Sequence, residues 1–123
     1  MGTENMLLHI DTVVADGQIL AFEDGTGVLS GAAGEENDVV LSASGDDYTK
    51  RKRVGRMLKL KLQFGSNDVP SNFAKMRGVQ ISARDAQNGR RVLLTKCTFQ
   101  SLGDLGNGSV DLAYHVLSEP QWI

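Results

Sequence analysis

The feature that most constrains this chain is an alternation of apolar and polar residues near its middle. The alternating residues are Leu58, Lys59, Leu60, Lys61, Leu62, Gln63 and Phe64. Because successive side chains of a strand point to opposite faces, a period of two predicts a strand with one buried and one wet face. A similar alternation over residues 110–116 predicts a closing strand.

Turn-forming residues predict two hairpins. Asp16-Gly17 predicts an early hairpin between residues 10–15 and 18–23, and Asn88-Gly89 predicts a second over residues 79–99. A three-residue loop at 87–89, with Gly89 left-handed, keeps the apolar faces of the second hairpin consistent. That register pairs Val79 with Cys97, Ile81 with Thr95 and Ala83 with Leu93. It also places Val92 and Leu94 on the opposite face, so the strand is expected to be apolar on both sides.

One short helix is predicted at about residues 69–77. Residues 66–68 offer N-caps, Pro70 suits the first turn and Gly78 suits the position just past the end. The 123 residues with 14 glycines and two prolines suit short strands joined by tight turns. The fold class predicted is mainly β: a small antiparallel β-sandwich or half-open barrel with one flanking helix.

The chain is expected to form a single domain over residues 1–123, with three irregular segments. Residues 1–5 are expected to be frayed, residues 44–56 to form a long charged loop after a strand at 38–43, and residues 120–123 to form a tail. The Gly- and Ala-rich residues 25–37 are also predicted to be a loop. Because Trp122 and Ile123 are apolar, the tail is expected to pack on the domain or on a partner.

No residue constellation in the sequence points to catalysis. The lone Cys97 lies in a predicted strand and is expected to be a buried structural thiol, and His9 and His115 lack metal-ligand spacing. We therefore predict no enzyme activity, no catalytic or cofactor-binding residues and no bound metal. Because no apolar run has the length of a membrane span and no signal-peptide pattern is present, we expect a chain that stays soluble in a cytoplasm.

Charge is strongly segregated along the chain. Residues 1–49 hold ten acidic residues and no Lys or Arg, and residues 97–123 hold three acidic residues and no Lys or Arg. Residues 50–96 hold all thirteen Lys and Arg against two Asp, a net charge of 13 − 2 = +11. Such blocks on separate surfaces would bind further copies head to tail. Alternatively, the strands interleave and the charges neutralise within one subunit.

The basic run Lys50-Arg51-Lys52-Arg53, continued by Arg56, Lys59 and Lys61, is the sharpest electrostatic feature. Three interpretations stay open for it. The run contacts nucleic-acid phosphates, for which Tyr48 is the one nearby aromatic residue; it docks on an acidic surface of a neighbouring copy; or it is a solvated loop.

The order of the predicted elements resembles that of bacteriophage tail tube proteins and of the related tube protein of type VI secretion. That order is an N-terminal hairpin, a Gly-rich loop, a strand, a long charged loop, an amphipathic strand, a short helix, a hairpin with a Gly turn, a Gly-rich loop and a closing strand. The resemblance covers residues 15–119 and is carried locally by 56–64 and 78–99.

The resemblance implies a structural protein of the virion tail that is assembled in the host cytoplasm. Six copies would form a ring, and stacked rings would form a tube through which DNA passes during ejection. The implied partners are further copies of the chain, with tail sheath, tape-measure and baseplate proteins, and no membrane insertion. Alternatives are a baseplate, tail-completion or secretion-tube component of the same fold, or a small nucleic-acid-binding β-barrel that uses residues 50–61.

The resemblance also implies roles for individual residues. The long charged loop of the family reaches the neighbouring ring and the tail contacts other subunits, which gives the following interface candidates: Asp46, Asp47, Tyr48, Lys50, Arg51, Lys52, Arg53, Arg56, Trp122 and Ile123. The amphipathic strands of six subunits form the inner barrel, so Lys59, Lys61 and Gln63 are candidates to line it. Lumens in the family tend to be acidic, and Lys59 and Lys61 depart from that pattern.

Overall fold

The computed structural model describes residues 7–123, which form antiparallel β-strands and one short helix, so the mainly-β fold class is confirmed. The elements are β1 (Thr12–Ala15), β2 (Gln18–Leu20), β3 (Val28–Ser30), β4 (Glu35–Val40), β5 (Tyr48–Arg53), β6 (Arg56–Gln63), α1 (Pro70–Ala74), β7 (Val79–Asp85), β8 (Arg90–Leu102), β9 (Ser109–Val116) and β10 (Gln121–Trp122). Eight strands form one sheet in the order β2-β1-β7-β8-β9-β6-β3, with β10 paired to β8. Strands β4 and β5 form a separate two-stranded sheet.

The pairing of β6 with β9 forms the longest uninterrupted ladder of the large sheet. It runs without a register shift from Arg56 opposite Val116 to Gln63 opposite Ser109. The predicted alternation is confirmed, because every second residue of β6 from Leu58 to Leu62 is buried and the residues between them are exposed. The sheet does not close into a barrel.

The early hairpin is confirmed as β1 and β2, joined by a two-residue turn. Asp16 and Gly17 both have positive φ, 50° and 79°, which is typical of the primed turns that match strand twist. Strand β1 also pairs with β7, so it lies inside the sheet rather than at an edge. Residues 1–5, expected to be frayed, lie outside the described residues.

The register of the β7–β8 hairpin differs from the prediction over most of its length. The pairing of Val79 with Cys97 is confirmed, and Gly89 is left-handed with φ of 71°. Ile81 instead pairs with Leu94 and Ala83 with Val92, because a bulge inserts one extra residue into β8 between Leu94 and Cys97. The connecting loop is therefore residues 86–89, one residue longer than predicted.

The bulge also corrects the expectation that β8 is apolar on both faces. Two steps along a regular strand return a side chain to the same face, whereas Leu94 and Cys97 are three steps apart. The extra residue places both of them in the core together with Val92, while Leu93 is half-buried. The strand therefore needs cover on one face only.

Helix α1 is shorter than predicted, so Met76 lies just beyond its C-cap residue Lys75. Phe73 and Met76 are buried, as their spacing indicated. The hydroxyl of Tyr114 donates to Met76 Sδ at 3.0 Å, and the N–H of Phe99 donates to the Met76 carbonyl at 2.8 Å. The N-cap is Val69, without a side-chain cap. Asp68 instead accepts a hydrogen bond from the Gly65 N–H at 2.6 Å.

Two predicted loops contain strands. Residues 25–37 include β3 and the start of β4, and the long charged loop predicted at 44–56 includes the whole of β5. Strand β4 also begins three residues before the predicted 38. The predictions failed because neither β4 nor β5 alternates apolar and polar residues, since both faces of each strand meet solvent.

The C-terminal tail packs on the domain as strand β10. Gln121 pairs with Leu93 and Trp122 with Val92, so β10 lies on the side of β8 opposite β7. The guanidinium carbon of Arg90 lies 5.0 Å from the Trp122 ring centroid, within cation–π range.

The carboxylate of Asp85 organises the loop between β7 and β8. It accepts hydrogen bonds from the side-chain amide of Asn88 at 2.7 Å, from the backbone N–H of Asn88 at 3.2 Å and from the N–H of His9 at 3.0 Å. The Asn88 side-chain bond, followed by the His9 bond, lowers the pKa of Asp85 below its ordinary value. These hydrogen bonds therefore favour the ionised form of the carboxylate.

We expect the Asp85→Asn variant to unfold at lower urea concentration than the wild-type chain at pH 7, because an amide nitrogen would face these donors. A pKa lowered in the folded state stabilises it above the unfolded pKa, and this contribution is lost as the pH falls below about 4. The gap between the two urea midpoints should therefore narrow towards pH 3. An Asp104→Asn variant, in an exposed loop, serves as the control. A gap that does not change with pH would contradict this role.

The Cys97 thiol should be unreactive in the folded protein. Burial raises its pKa to about 12, and the thiolate is the nucleophilic form. We expect a chromogenic aromatic disulfide at pH 8 to label the native chain far more slowly than the chain unfolded in guanidinium chloride. Equal rates would show that Cys97 is accessible to solvent.

Candidate functional site: the β4–β5 hairpin and the cleft at its base

Strands β4 and β5 form a hairpin that is exposed on both faces. The six cross-strand pairs are Glu35–Arg53, Glu36–Lys52, Asn37–Arg51, Asp38–Lys50, Val39–Thr49 and Val40–Tyr48. All twelve residues are exposed, so none contributes to the core of the subunit. The hairpin is therefore an appendage of the large sheet rather than a part of its packing.

The hairpin brings the acidic and basic segments of the sequence side by side. Acidic residues of β4 lie opposite basic residues of β5 at three of the six pairs. Residues 35–53 hold five acidic and four basic residues, a net charge of −1. Interleaving within one subunit, one of the two alternatives for the segregated charge, therefore applies to this part of the chain. Arg51 Nε lies 3.7 Å from Glu35 Oε1, an exposed pair of small energetic value.

The end of the hairpin that lies farthest from the sheet is apolar and acidic rather than basic. We call residues 39–48 the hairpin tip; Leu41 is 78% exposed and Tyr48 is 61% exposed, and Val39 and Val40 are also exposed. Asp46 and Asp47 follow the turn, where Gly45 has φ of 95°. The basic residues 50–53 lie along β5 between the tip and the base, so they are not at the outermost end of the hairpin.

Glycines fix the base of the hairpin where its two strands leave the sheet. Gly31 has φ of 66°, and a Cβ there would overlap the Gly55 carbonyl. The N–H of Val54 donates to the Gly34 carbonyl at 3.0 Å, and the N–H of Gly34 donates to the Gly31 carbonyl at 2.9 Å. This close approach of two backbone segments leaves no room for a side chain at Gly31.

A cleft of about 850 Å³ lies at this base, and three arginines line it together with apolar and acidic side chains. We call it the arginine cleft; its residues are Ala33, Gly34, Glu35, Arg51, Arg53, Val54, Gly55, Arg56, His115, Val116, Leu117 and Glu119. The side chain of Arg56 is held in place, because its Nε donates to the Ala32 carbonyl at 3.3 Å and its guanidinium lies against Gly34. The cleft therefore places three guanidinium groups, one of them held by backbone, beside apolar side chains and two carboxylates.

The exposed face of β6 carries the inner-barrel candidates Lys59, Lys61 and Gln63. Lys61 lies opposite Asp111 of β9, and its Nζ is 4.0 Å from Glu23 Oε2. Neighbouring carboxylates thus offset the positive charge of Lys61 on this face.

The other interface candidates from the sequence do not all come together. Arg51, Arg53 and Arg56 meet in the arginine cleft, whereas Asp46, Asp47 and Tyr48 lie at the tip and Lys50 and Lys52 lie along β5. Trp122 and Ile123 lie elsewhere, beside the start of β8, where the N–H of Ile123 donates to the Arg91 carbonyl at 2.8 Å.

The sequence did not identify the residues that surround these candidates in the structure. Glu35, Leu117, His115 and Glu119 line the arginine cleft, and Leu41 is the most exposed apolar residue of the tip. One signal was present, because the acidic pattern at 35–38 mirrors the basic pattern at 50–53 about residue 44. No comparable signal marked residues 115–119, which reach the cleft through the pairing of β9 with β6.

No protein-family model and no curated protein matches the sequence. Within residues 7–123, no three or more His, Cys, Asp or Glu side chains group into an arrangement that would hold a metal ion. The helical segment in this part of the chain is too short to span a membrane.

We expect Gly31→Ala to loosen the hairpin, because alanine there meets both a left-handed backbone and the Gly55 carbonyl. Trypsin cleavage within residues 50–53 should become faster than in the wild-type chain. Gly45→Ala is the matched control, since Gly45 also has positive φ but open space around it. Equal cleavage rates for the two variants would show that the Gly31–Gly55 approach does not hold the hairpin.

Proposed function

We propose that this chain is a structural subunit of a phage tail tube, in which six copies form a ring and rings stack into a conduit for DNA. The observation that carries the proposal is the exposed β4–β5 hairpin. The resemblance of the chain to tail tube proteins supplies the ring symmetry and the conduit, and the hairpin supplies a physical reason for association.

The hairpin is poorly suited to a chain that works alone. A two-stranded sheet without a packed face is marginally stable in water. Four apolar side chains of the tip are exposed: Val39, Val40, Leu41 and Tyr48. Val40 pairs with Tyr48 across the ladder, and Val39 points to the opposite face of the hairpin. Several exposed apolar side chains on one projecting hairpin favour an interaction site, and burial against a further copy would stabilise both the hairpin and the assembly.

The wet face of β6 and β9 is compatible with a lumen that lets DNA pass. Lys59 and Lys61 alone would attract phosphates and retain DNA. Asp111 lies opposite Lys61, and Glu23 approaches the same lysine from the other side. This offset applies to Lys61, whereas Lys59 lies opposite Ala113. It favours passage over binding at Lys61 and reduces the departure of this face from the acidic lumens of the family.

The proposal is tested by negative-stain electron microscopy and sedimentation of the purified chain over a range of concentrations. We expect rings at low concentration and stacked tubes at high concentration. A chain that stays monomeric at high concentration would rule out the proposed function. Rings that never stack would favour a baseplate or tail-completion component of the same fold.

A truncated variant tests the role of the hairpin. Replacing residues 37–51 by Asn-Gly closes the hairpin after Glu36 with a favoured two-residue turn. Because no residue of β4 or β5 is buried, the thermal midpoint should change little. We expect this variant to form no tubes. Tubes as long as those of the wild-type chain would show that the hairpin is not the stacking element.

A further inference from the structure

We propose that the hairpin tip of one copy occupies the arginine cleft of a second copy. This inference rests on the proposed function, because it requires that copies associate. It adds the receiving surface, which neither the sequence nor the resemblance assigns.

Charge complementarity is the first observation behind the inference. Among residues 7–123, no carboxylate lies within 4.0 Å of the guanidinium of Arg53 or Arg56. The tip offers Asp46 and Asp47, of which Asp47 accepts only a long 3.5 Å hydrogen bond from the Ser42 N–H. Arg56 is already held by the Ala32 carbonyl and Gly34, so little of its freedom is lost when a carboxylate binds.

Apolar complementarity is the second observation. The arginine cleft includes Val54, Val116 and Leu117, and Leu117 is 51% exposed. The tip presents Leu41 and Tyr48 within a few residues of its two aspartates. The arginine cleft holds three arginines against Glu35 and Glu119, a net charge of +1, and the tip holds Asp46 and Asp47, a net charge of −2, so the two surfaces carry opposite net charge as well as apolar side chains.

The geometry of the hairpin identifies the occupant as a second copy. The strand from Glu35 to Val40 spans five residue steps, about 17 Å at roughly 3.4 Å per step. The β4–β5 ladder keeps the far end of the hairpin that far from Glu35 and Arg53, and Tyr48 lies three residue steps, about 10 Å, from Arg51, the cleft residue nearest the tip. Because tip and cleft lie at opposite ends of one element, each contact leaves a free tip and a free cleft, and the association propagates head to tail.

Two charge-reversal variants test the inference. The tip variant carries Asp46→Lys and Asp47→Lys, and the cleft variant carries Arg51→Glu and Arg56→Glu. Arg51 lies opposite Asn37 and Arg56 opposite Val116, so neither new Glu lies directly across from an acid. The change at Arg51 also removes its exposed pair with Glu35, which is of small energetic value. We expect each variant alone to form tubes only at a total concentration at least about tenfold higher than the wild-type chain needs.

The mixture of the two variants is the decisive sample. In the mixture, the basic tip of the tip variant is complementary in charge to the acidic cleft of the cleft variant. The unchanged acidic tip of the cleft variant is complementary to the unchanged arginine cleft of the tip variant. We expect an equimolar mixture to assemble at nearly the wild-type concentration, which also shows that both variants are folded. An Asp104→Lys variant, changed at an exposed site away from both surfaces, should assemble like the wild-type chain.

The outcomes separate this inference from the proposed function. A wild-type chain that never assembles overturns both. A wild-type chain that assembles while both variants assemble equally well overturns the pairing of tip and cleft alone, as does a mixture that fails to recover. If the cleft variant assembles normally but loses salt-dependent binding of a single-stranded oligonucleotide, the occupant of the cleft is nucleic acid and the inference is overturned.

Discussion

The ladder between β6 and β9 is the constraint from which the other features of the molecule follow. Its register assigns Leu58, Leu60 and Leu62 to the core and leaves the residues between them on the wet face. The same register brings residues 115–119 beside Arg56, where the hairpin leaves the sheet. A slip of one residue would exchange the two faces of β6. The core, the exposed face of β6 and the arginine cleft therefore all depend on this one pairing.

Strand β8 departs from regular strand geometry at two places along its length. The bulge between Leu94 and Cys97 returns both side chains to the core, and a second irregularity between Phe99 and Ser101 precedes its last pairs with β9. Bulges bend a strand and increase its local twist. The space beside the first half of β8 is taken by β10, so the tail completes the sheet.

Unlike the large sheet, the β4–β5 hairpin has no buried core. It is held by its backbone ladder and by the close approach of glycines at its base. Its charges largely neutralise within the hairpin, so long-range attraction by the basic run alone is weakened. Two local surfaces are left for contact with another molecule: the acidic and apolar tip, and the arginine cleft. In the proposed assembly, recognition between copies would then depend on short-range fit, with charge selecting the orientation.

The sequence by itself determined the strands with one solvent-exposed face, the hairpin turns at Asp16-Gly17 and Gly89, and the short helix with buried Phe73, followed by buried Met76. In each case burial or backbone geometry imposes a local pattern on the residues. The β8 bulge, the strand character of residues 48–53 and the assembly of the arginine cleft were decided only by the tertiary structure. An extra residue in a strand leaves no periodic trace, and a hairpin exposed on both faces has no apolar period. The cleft joins residues 33–56 to residues 115–119, which meet only because β6 pairs with β9.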